Sequence, residues 1–175
     1  VEVAGRYYGN FPMASHHRFL PAVVESGFIE TADHRQTLPP LYNRYTEVSG
    51  QAGFPDGYDN HQAAYRILFE TGFVLDAYLH ANDYFGADQI LLSSASSKTS
   101  ISAAFALERR DVDVIGLTSD ANREFVEALD LYDDVVTYDE VRSLDDAVST
   151  VYADMSGNGE VLTSVHSHFN QQLTR

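Results

Sequence analysis

From His61 onward the apolar positions first recur every three or four residues and then gather into short unbroken runs. Ala64, Leu68, Thr71, Leu75 and Leu79 fall at helical spacing, with Phe69, Phe73 and Ala77 filling in between them. The spacing predicts a helix over 61–82, either continuous or as two helices joined at Gly72. Gly86-Ala-Asp88 ends that region. Short apolar runs then alternate with amphipathic stretches. They predict strand 89–93, helix 98–110, strand Asp113–Thr118, helix 121–130, strand Asp134–Thr137, a helical turn around 139–147, strand Thr150–Asp154 and a last helix over about 158–172. Apolar strands each followed by a helix imply a parallel sheet covered on both faces. With right-handed crossovers the strand order becomes 3-2-1-4, the α/β half-Rossmann arrangement.

Residues 1–60 read differently, being rich in aromatics, Pro, Gly and His without a sustained helical period. Val1–Gly9 and His17–Val24 predict short strands, and Gly50–Asn60 has the turn chemistry of a boundary loop. The expected division is 1–60, a linking helical segment 61–88, and a nucleotide-binding sheet 89–175. A doubly wound sheet normally continues with further strands, so the chain reads as a piece of a longer protein or as a pared-down sheet.

Composition narrows the partners. The net charge of -15 repels a phosphate backbone, which argues against nucleic acid. No apolar run approaches the roughly 18–20 residues of a membrane span, and no secretory signal pattern opens the sequence. Without cysteine there is no disulfide framework and no thiol nucleophile, and a reducing cytoplasm is the default compartment. Lys98 is the only lysine. An acidic, lysine-poor surface suits a high-salt organism, and the plainer account is a GC-rich genome that favours Arg over Lys codons.

The candidate chemistry centres on Gln89-Ile-Leu-Leu-Ser-Ser-Ala-Ser-Ser-Lys-Thr-Ser100. An apolar strand enters a turn of small residues that opens into a helix, which aims backbone amides and the positive helix end at one spot. Ser93, Ser94, Ala95, Ser96 and Ser97 let a ligand approach the main chain, and Lys98 or Thr99 adds a charge or a hydroxyl at the helix start. A serine-rich helix cap has the same signature. Ser-Lys-Thr99 also echoes the end of a nucleoside-triphosphatase phosphate loop, with Asp154 as the acid to seek for magnesium, although the glycines of that motif are missing. After the second strand, Ser119 and Arg123 stand where a dinucleotide fold chooses its cofactor. Hydroxyl and base there favour the 2′-phosphate of NADP over NAD, with Asp120 close by. The local alternative is an N-cap followed by a solvated arginine.

Seven segments jointly carry a resemblance: Tyr7–Met13, Leu38–Tyr45, Asn82–Gly86, Leu91–Thr99, Val114–Ser119, Val135–Glu140 and Ala153–Asn158. The pattern resembles the medium-chain dehydrogenase/reductase superfamily on its zinc-independent quinone-oxidoreductase side, and more narrowly a branch described only as a domain of unknown function. The resemblance implies that residues 1–60 are part of a GroES-like β-barrel catalytic domain. It places a cofactor pyrophosphate over Ser96, Ser97, Lys98 and Thr99, a 2′-phosphate at Ser119 and Arg123, and Tyr138 beside the adenosine. Ser156-Gly157-Asn158 would face the nicotinamide. It further implies NADPH-linked hydride transfer to a small-molecule quinone or conjugated carbonyl, no zinc, and pairing as a homodimer. The chain departs from the superfamily in having no glycine in the first turn. That departure favours a second expectation, a non-catalytic nucleotide-binding or scaffold protein.

Tyr42, Arg44 and Tyr45 form an aromatic-basic cluster after Pro39-Pro40, where Tyr42 or Tyr45 is the expected proton donor to a carbonyl, or an anchor that packs a loop. His166 and His168 lie two apart on a predicted helix and so do not share a face. His16-His17 reads as surface or strand polarity, and Asp130–Asp134 with Asp145-Asp146 reads as solvated helix ends.

Overall fold

The computed structural model describes residues 7–9, 18–48 and 57–174. His16, His17 and most of the predicted boundary loop lie outside the described residues. The chain separates into two compact units, Val1–Ala64 and Tyr65–Arg175.

The first unit is an antiparallel sheet of four strands in the order β1-β4-β3-β2, with β1 Tyr7–Gly9, β2 Pro21–Val24, β3 Gly27–Glu30 and β4 Arg44–Glu47. Aromatic packing holds it together. Phe28 and Tyr45 face each other across the β3–β4 pair, stacked with centroids 4.7 Å apart, and Phe19 meets both edge-on. Gly27 sits at φ 142°, where a Cβ would lie 2.0 Å from the Tyr45 carbonyl oxygen, so only glycine lets these strands close. Beneath the sheet, the buried Glu30 carboxylate accepts the amides of Leu20 and Ala32, both at 2.9 Å. Burial alone would raise its pKa, but those amides and Arg35 hold it below the usual glutamate value.

The second unit is the parallel sheet anticipated from the sequence. Its strands are β5 Gln89–Leu92, β6 Asp113–Thr118, β7 Asp134–Thr137 and β8 Thr150–Ala153, in the order β7-β6-β5-β8. Both faces are covered. Ile90, Leu92 and Val114 pack with Leu79 of α1 (Asp59–Ala81) and with Ala103, Ala104 and Leu107 of α2 (Lys98–Leu107). Leu91, Ile115, Leu117 and Val136 pack on the opposite face with Val161, Val165 and Phe169 of α4 (Gly159–Phe169). Alternate residues of one strand thus enter different cores, which is why these strands are apolar throughout.

Several boundaries differ from expectation. The linking helix is a single α1 of 23 residues, and Gly72 is no joint: its bare Cα faces the backbone of Ala103 and Ser102. The predicted helix 121–130 resolves into a 3₁₀ turn Asp120–Asn122 and a short α3, Arg123–Glu127. The helical turn near 139–147 is a 3₁₀ segment Tyr138–Ser143, held by a capping box between Thr137 and Glu140. Beyond α4, Leu173 forms a parallel bridge to Thr150 of β8. No helix among the described residues is long and apolar enough to cross a membrane.

Candidate functional site

The turn from β5 into α2 is built from its own hydroxyls. Ser97 caps α2, its side chain accepting the Ser100 amide at 3.2 Å, and the Ser100 hydroxyl donates to the Ser93 carbonyl at 2.8 Å. Ser94 takes φ 52°, the left-handed conformation for which glycine is the usual choice, at a cost of roughly 1 kcal/mol. Ala95 is pinned from below. Its amide donates to the Leu117 carbonyl at 2.9 Å and its carbonyl accepts the Tyr132 hydroxyl at 2.8 Å. The Tyr132 ring lies against Gly116, where a Cβ would come within 2.9 Å of it. Burial raises the Tyr132 pKa well above the ordinary phenol value, so the hydroxyl remains a donor.

With the turn fixed, the first amides of α2 are left over. Lys98 and Thr99 head the helix, where no carbonyl of a preceding turn can reach them, and the Ser96 amide has no acceptor among the described residues. These groups and the helix dipole favour an anion at the same place. Ser94, Ser96, Ser97 and Thr99 are half-buried and Lys98 is exposed, so the rim is open to a ligand. The Lys98 ammonium lies over the Tyr65 ring, 5.6 Å from its centroid.

The ends of the neighbouring strands converge on this turn. The Tyr138 hydroxyl, after β7, accepts the Ser94 amide at 3.1 Å. The Asn122 side-chain amide, after β6, donates to the Ser96 hydroxyl at 3.2 Å. On the other side, the Ser93 hydroxyl donates to Asp154 Oδ1 at 2.7 Å and accepts the amides of Met155 and Ser156. The same Oδ1 accepts the Ser156 hydroxyl at 2.7 Å and the Gly157 amide at 3.2 Å. Ser93 and Asp154 therefore staple the turns that follow β5 and β8, the two strands flanking the point where the sheet order reverses. That is where open α/β sheets place their ligands.

Asp154 thus organises a turn, and among the described residues no three His, Asp or Glu side chains gather to hold a metal ion. Burial pushes its carboxyl up, but the Ser93 and Ser156 hydroxyls with the Ser156 and Gly157 amides outweigh it and hold the pKa at about 2, against an ordinary 3.8. The folded-state value is the lower one, so the stabilisation is complete above 3.8 and is lost as pH falls from there toward 2. Acid titration followed by circular dichroism and thermal melting is expected to lose roughly 1 kcal/mol over that window after solvent screening. Asp154→Asn should lack this step.

The structure puts the predicted pyrophosphate residues Ser96, Ser97, Lys98 and Thr99 at the start of α2, with Ser94 and Ala95 in the turn before them, and sets Ser156 and Gly157 beside that turn through Asp154. Tyr138 is closer in than expected, with its hydroxyl on the turn itself. Ser119 and Arg123 stand one residue either side of the Asp120–Asn122 turn. Arg123 is 38% exposed and takes part in two surface ion pairs. Its Nε donates to Glu127 at 2.9 Å and its Nη1 to Glu140 at 2.8 Å. Tyr45 is 1% exposed inside the aromatic stack of the other unit, so its hydroxyl cannot present a proton to a substrate; Tyr42 is exposed. Sequence reasoning missed Asn122, Tyr132 and Glu140, and read Ser93 only as a small residue of the turn, not as the partner of Asp154. Only Asp154 carried a readable signal, since Asp-Met-Ser-Gly after a strand is the composition of a side-chain-closed turn. Three described clefts lie away from the serine turn, one beside Phe69, Phe73 and Phe105, one along α4 with Arg142 and one between His80, Tyr84 and Arg110.

The family described as "Protein of unknown function (DUF2855)" matches residues 1–175. No curated protein matches the sequence. Among solved structures the chain is similar to Escherichia coli K-12 YhdH with bound NADPH, at 16% identity and a TM-score of 0.46, over 74% of this chain and 39% of that one. Bacillus subtilis YhfP with NAD bound gives 19% identity and a TM-score of 0.45, over 71% and 40%. The quinone oxidoreductase of Thermus thermophilus, solved alone and with NADPH, gives 16% and 0.48, over 67% and 40%. The chain spans about two-fifths of the length of these proteins.

Proposed function

The chain belongs to the DUF2855 family, and we propose that its serine turn holds the diphosphate of a nicotinamide dinucleotide within a zinc-independent oxidoreductase acting on a quinone or conjugated carbonyl. One observation carries this reading: side chains from after β6, β7 and β8 all bond to the turn that leaves the amides of Ser96, Lys98 and Thr99 without acceptors among the described residues. Those amides fit a diphosphate, because the half-buried serines around them leave the main chain approachable. The Tyr138 hydroxyl, accepting from Ser94, keeps its own proton free for a phosphate oxygen. Thr99 and Ser96 add hydroxyl donors. In a chain of net charge -15, the helix dipole and the single lysine Lys98 supply the local positive potential.

When bound, the dinucleotide supplies the hydride. The protein's part is to orient it. The Asp154-organised turn at Ser156 and Gly157 borders the diphosphate position on the β8 side, where the nicotinamide half would extend. Ser119 and Arg123 border it on the β6 side, toward the adenosine ribose, which is what supports NADP. A specific observation favours the rival non-catalytic reading: the Ser93–Asp154 staple closes the floor between β5 and β8 with the chain's own side chains.

Thermal-shift measurements with NADPH, NADH and ATP–magnesium separate these readings. A ligand present at a hundredfold its Kd stabilises the folded state by about 2.7 kcal/mol, a shift of several degrees. A shift with either dinucleotide supports the proposal. A response to ATP–magnesium alone would replace it with a triphosphate site, and no response would leave the scaffold reading. Arg123→Ala should weaken NADPH more than NADH; an equal loss removes the 2′-phosphate assignment.

A further inference from the structure

We infer that Glu140 sets the dinucleotide preference of this chain by competing with a ligand phosphate for Arg123; the inference rests on the dinucleotide reading above. Arg123 is the base that borders the site at its β6 end, and it spends one nitrogen on Glu127, four residues along α3, and another on Glu140, which arrives from the turn after β7. Glu140 is itself held in place. Its Oε2, the oxygen that meets Arg123, also accepts the Thr137 amide at 3.2 Å and hydroxyl at 3.0 Å. The capping box therefore orients the carboxylate toward the guanidinium.

With Asp120 exposed at the start of the same turn, the corner carries three carboxylates against one guanidinium. A 2′-phosphate entering there displaces Glu140 from Arg123 or lies beside two uncompensated charges. A 2′-hydroxyl does neither and can donate to a carboxylate oxygen. Ser119, with a half-buried hydroxyl next to the turn, serves either ligand. Glu140 thus holds back a selectivity for NADPH that Ser119 and Arg123 would otherwise confer.

Glu140→Gln tests this, because glutamine keeps an oxygen for the Thr137 cap while removing the charge. Binding of NADPH and NADH is followed by their own fluorescence on the parent chain, Glu140→Gln, Arg123→Ala and the double variant, with circular dichroism checking the fold. Removing one neighbouring charge is expected to tighten NADPH relative to NADH by about fivefold. Arg123→Ala should abolish that gain in the Glu140→Gln background. Glu127→Gln removes the other competing charge without touching the cap and should shift the ratio in the same direction. If both dinucleotides bind and neither glutamine variant changes their ratio, this inference is overturned and the dinucleotide site stands. If neither dinucleotide binds the parent or the variants, both fall.

Discussion

Gly72→Ala is expected to lower the stability of the parallel unit by about 2 kcal/mol, a drop of roughly 6–10 °C in its melting temperature. Helix propensity predicts the opposite sign, since alanine in the interior of α1 should gain about 1 kcal/mol over glycine. Packing decides against it. A Cβ on Gly72 would lie 2.5 Å from the Ala103 amide nitrogen and 2.7 Å from the Ser102 carbonyl carbon. Those are backbone atoms of α2, not the ends of flexible side chains, so the two helices must separate to admit one methyl group. Separation also draws Ala103 and Ala104 away from Ile90 and Leu92, the strand that leads into the serine turn. Thermal melts of Gly72→Ala and Gly72→Val, monitored at the helix signal, check the argument. A rise in melting temperature for the alanine variant would mean that α1 does not approach α2 at this point.

That glycine also shows where sequence reading stopped. The sheet order was legible because buried parallel strands announce themselves as short apolar runs, and Asp113–Thr118 and Asp134–Thr137 form over the predicted residues. Helix ends were less so. The predicted 121–130 helix shortens to Arg123–Glu127 because the chain before it closes as a 3₁₀ turn and Asp130 takes a left-handed φ of 54°. A composition of Asp, Ala and Leu reveals neither. In the first unit, β3 and β4 passed unrecognised because their pairing depends on Gly27 and on an aromatic stack assembled from residues 17 positions apart, Phe28 and Tyr45. The same distance effect turned Tyr45 from a candidate proton donor into core.

At the site, the local part was readable and the long-range part was not. Ser97 as helix cap and the free amides after it follow from residue order alone. The bonds that set the turn's shape run from Ser93 to Asp154 and from Ser94 to Tyr138, across 61 and 44 residues. No periodicity encodes a partner at that separation. Arg123 illustrates the cost: its position suggested a phosphate ligand, whereas its two carboxylate partners come from one turn along its own helix and from beyond the next strand.

Ser93→Ala is expected to cost about 2 kcal/mol while leaving helix content unchanged and, on the proposed dinucleotide reading, to weaken NADPH binding about tenfold. The side chain is 0% exposed and its hydroxyl makes three bonds, donating to Asp154 and accepting from the amides of Met155 and Ser156. Removing it leaves the part-buried Met155 amide without its acceptor. Ser156 keeps a second acceptor in Asp154 at 2.9 Å, so the β8 turn loosens and does not collapse. The loosened element is the one that would border the nicotinamide half, which is why binding falls along with stability. Asp154→Asn weakens the same staple from the other end, because a neutral amide oxygen accepts less strongly than a carboxylate yet still serves Ser93 and the turn amides, and its effect should be smaller. Because both changes act on one hydrogen bond, the double variant should lose less than the sum of the singles. Urea unfolding and NADPH titration of the four proteins measure this coupling. Strict additivity would mean that the Ser93–Asp154 bond does not couple the turns after β5 and β8, leaving only the Met155 and Ser156 amides on the Ser93 hydroxyl to join them.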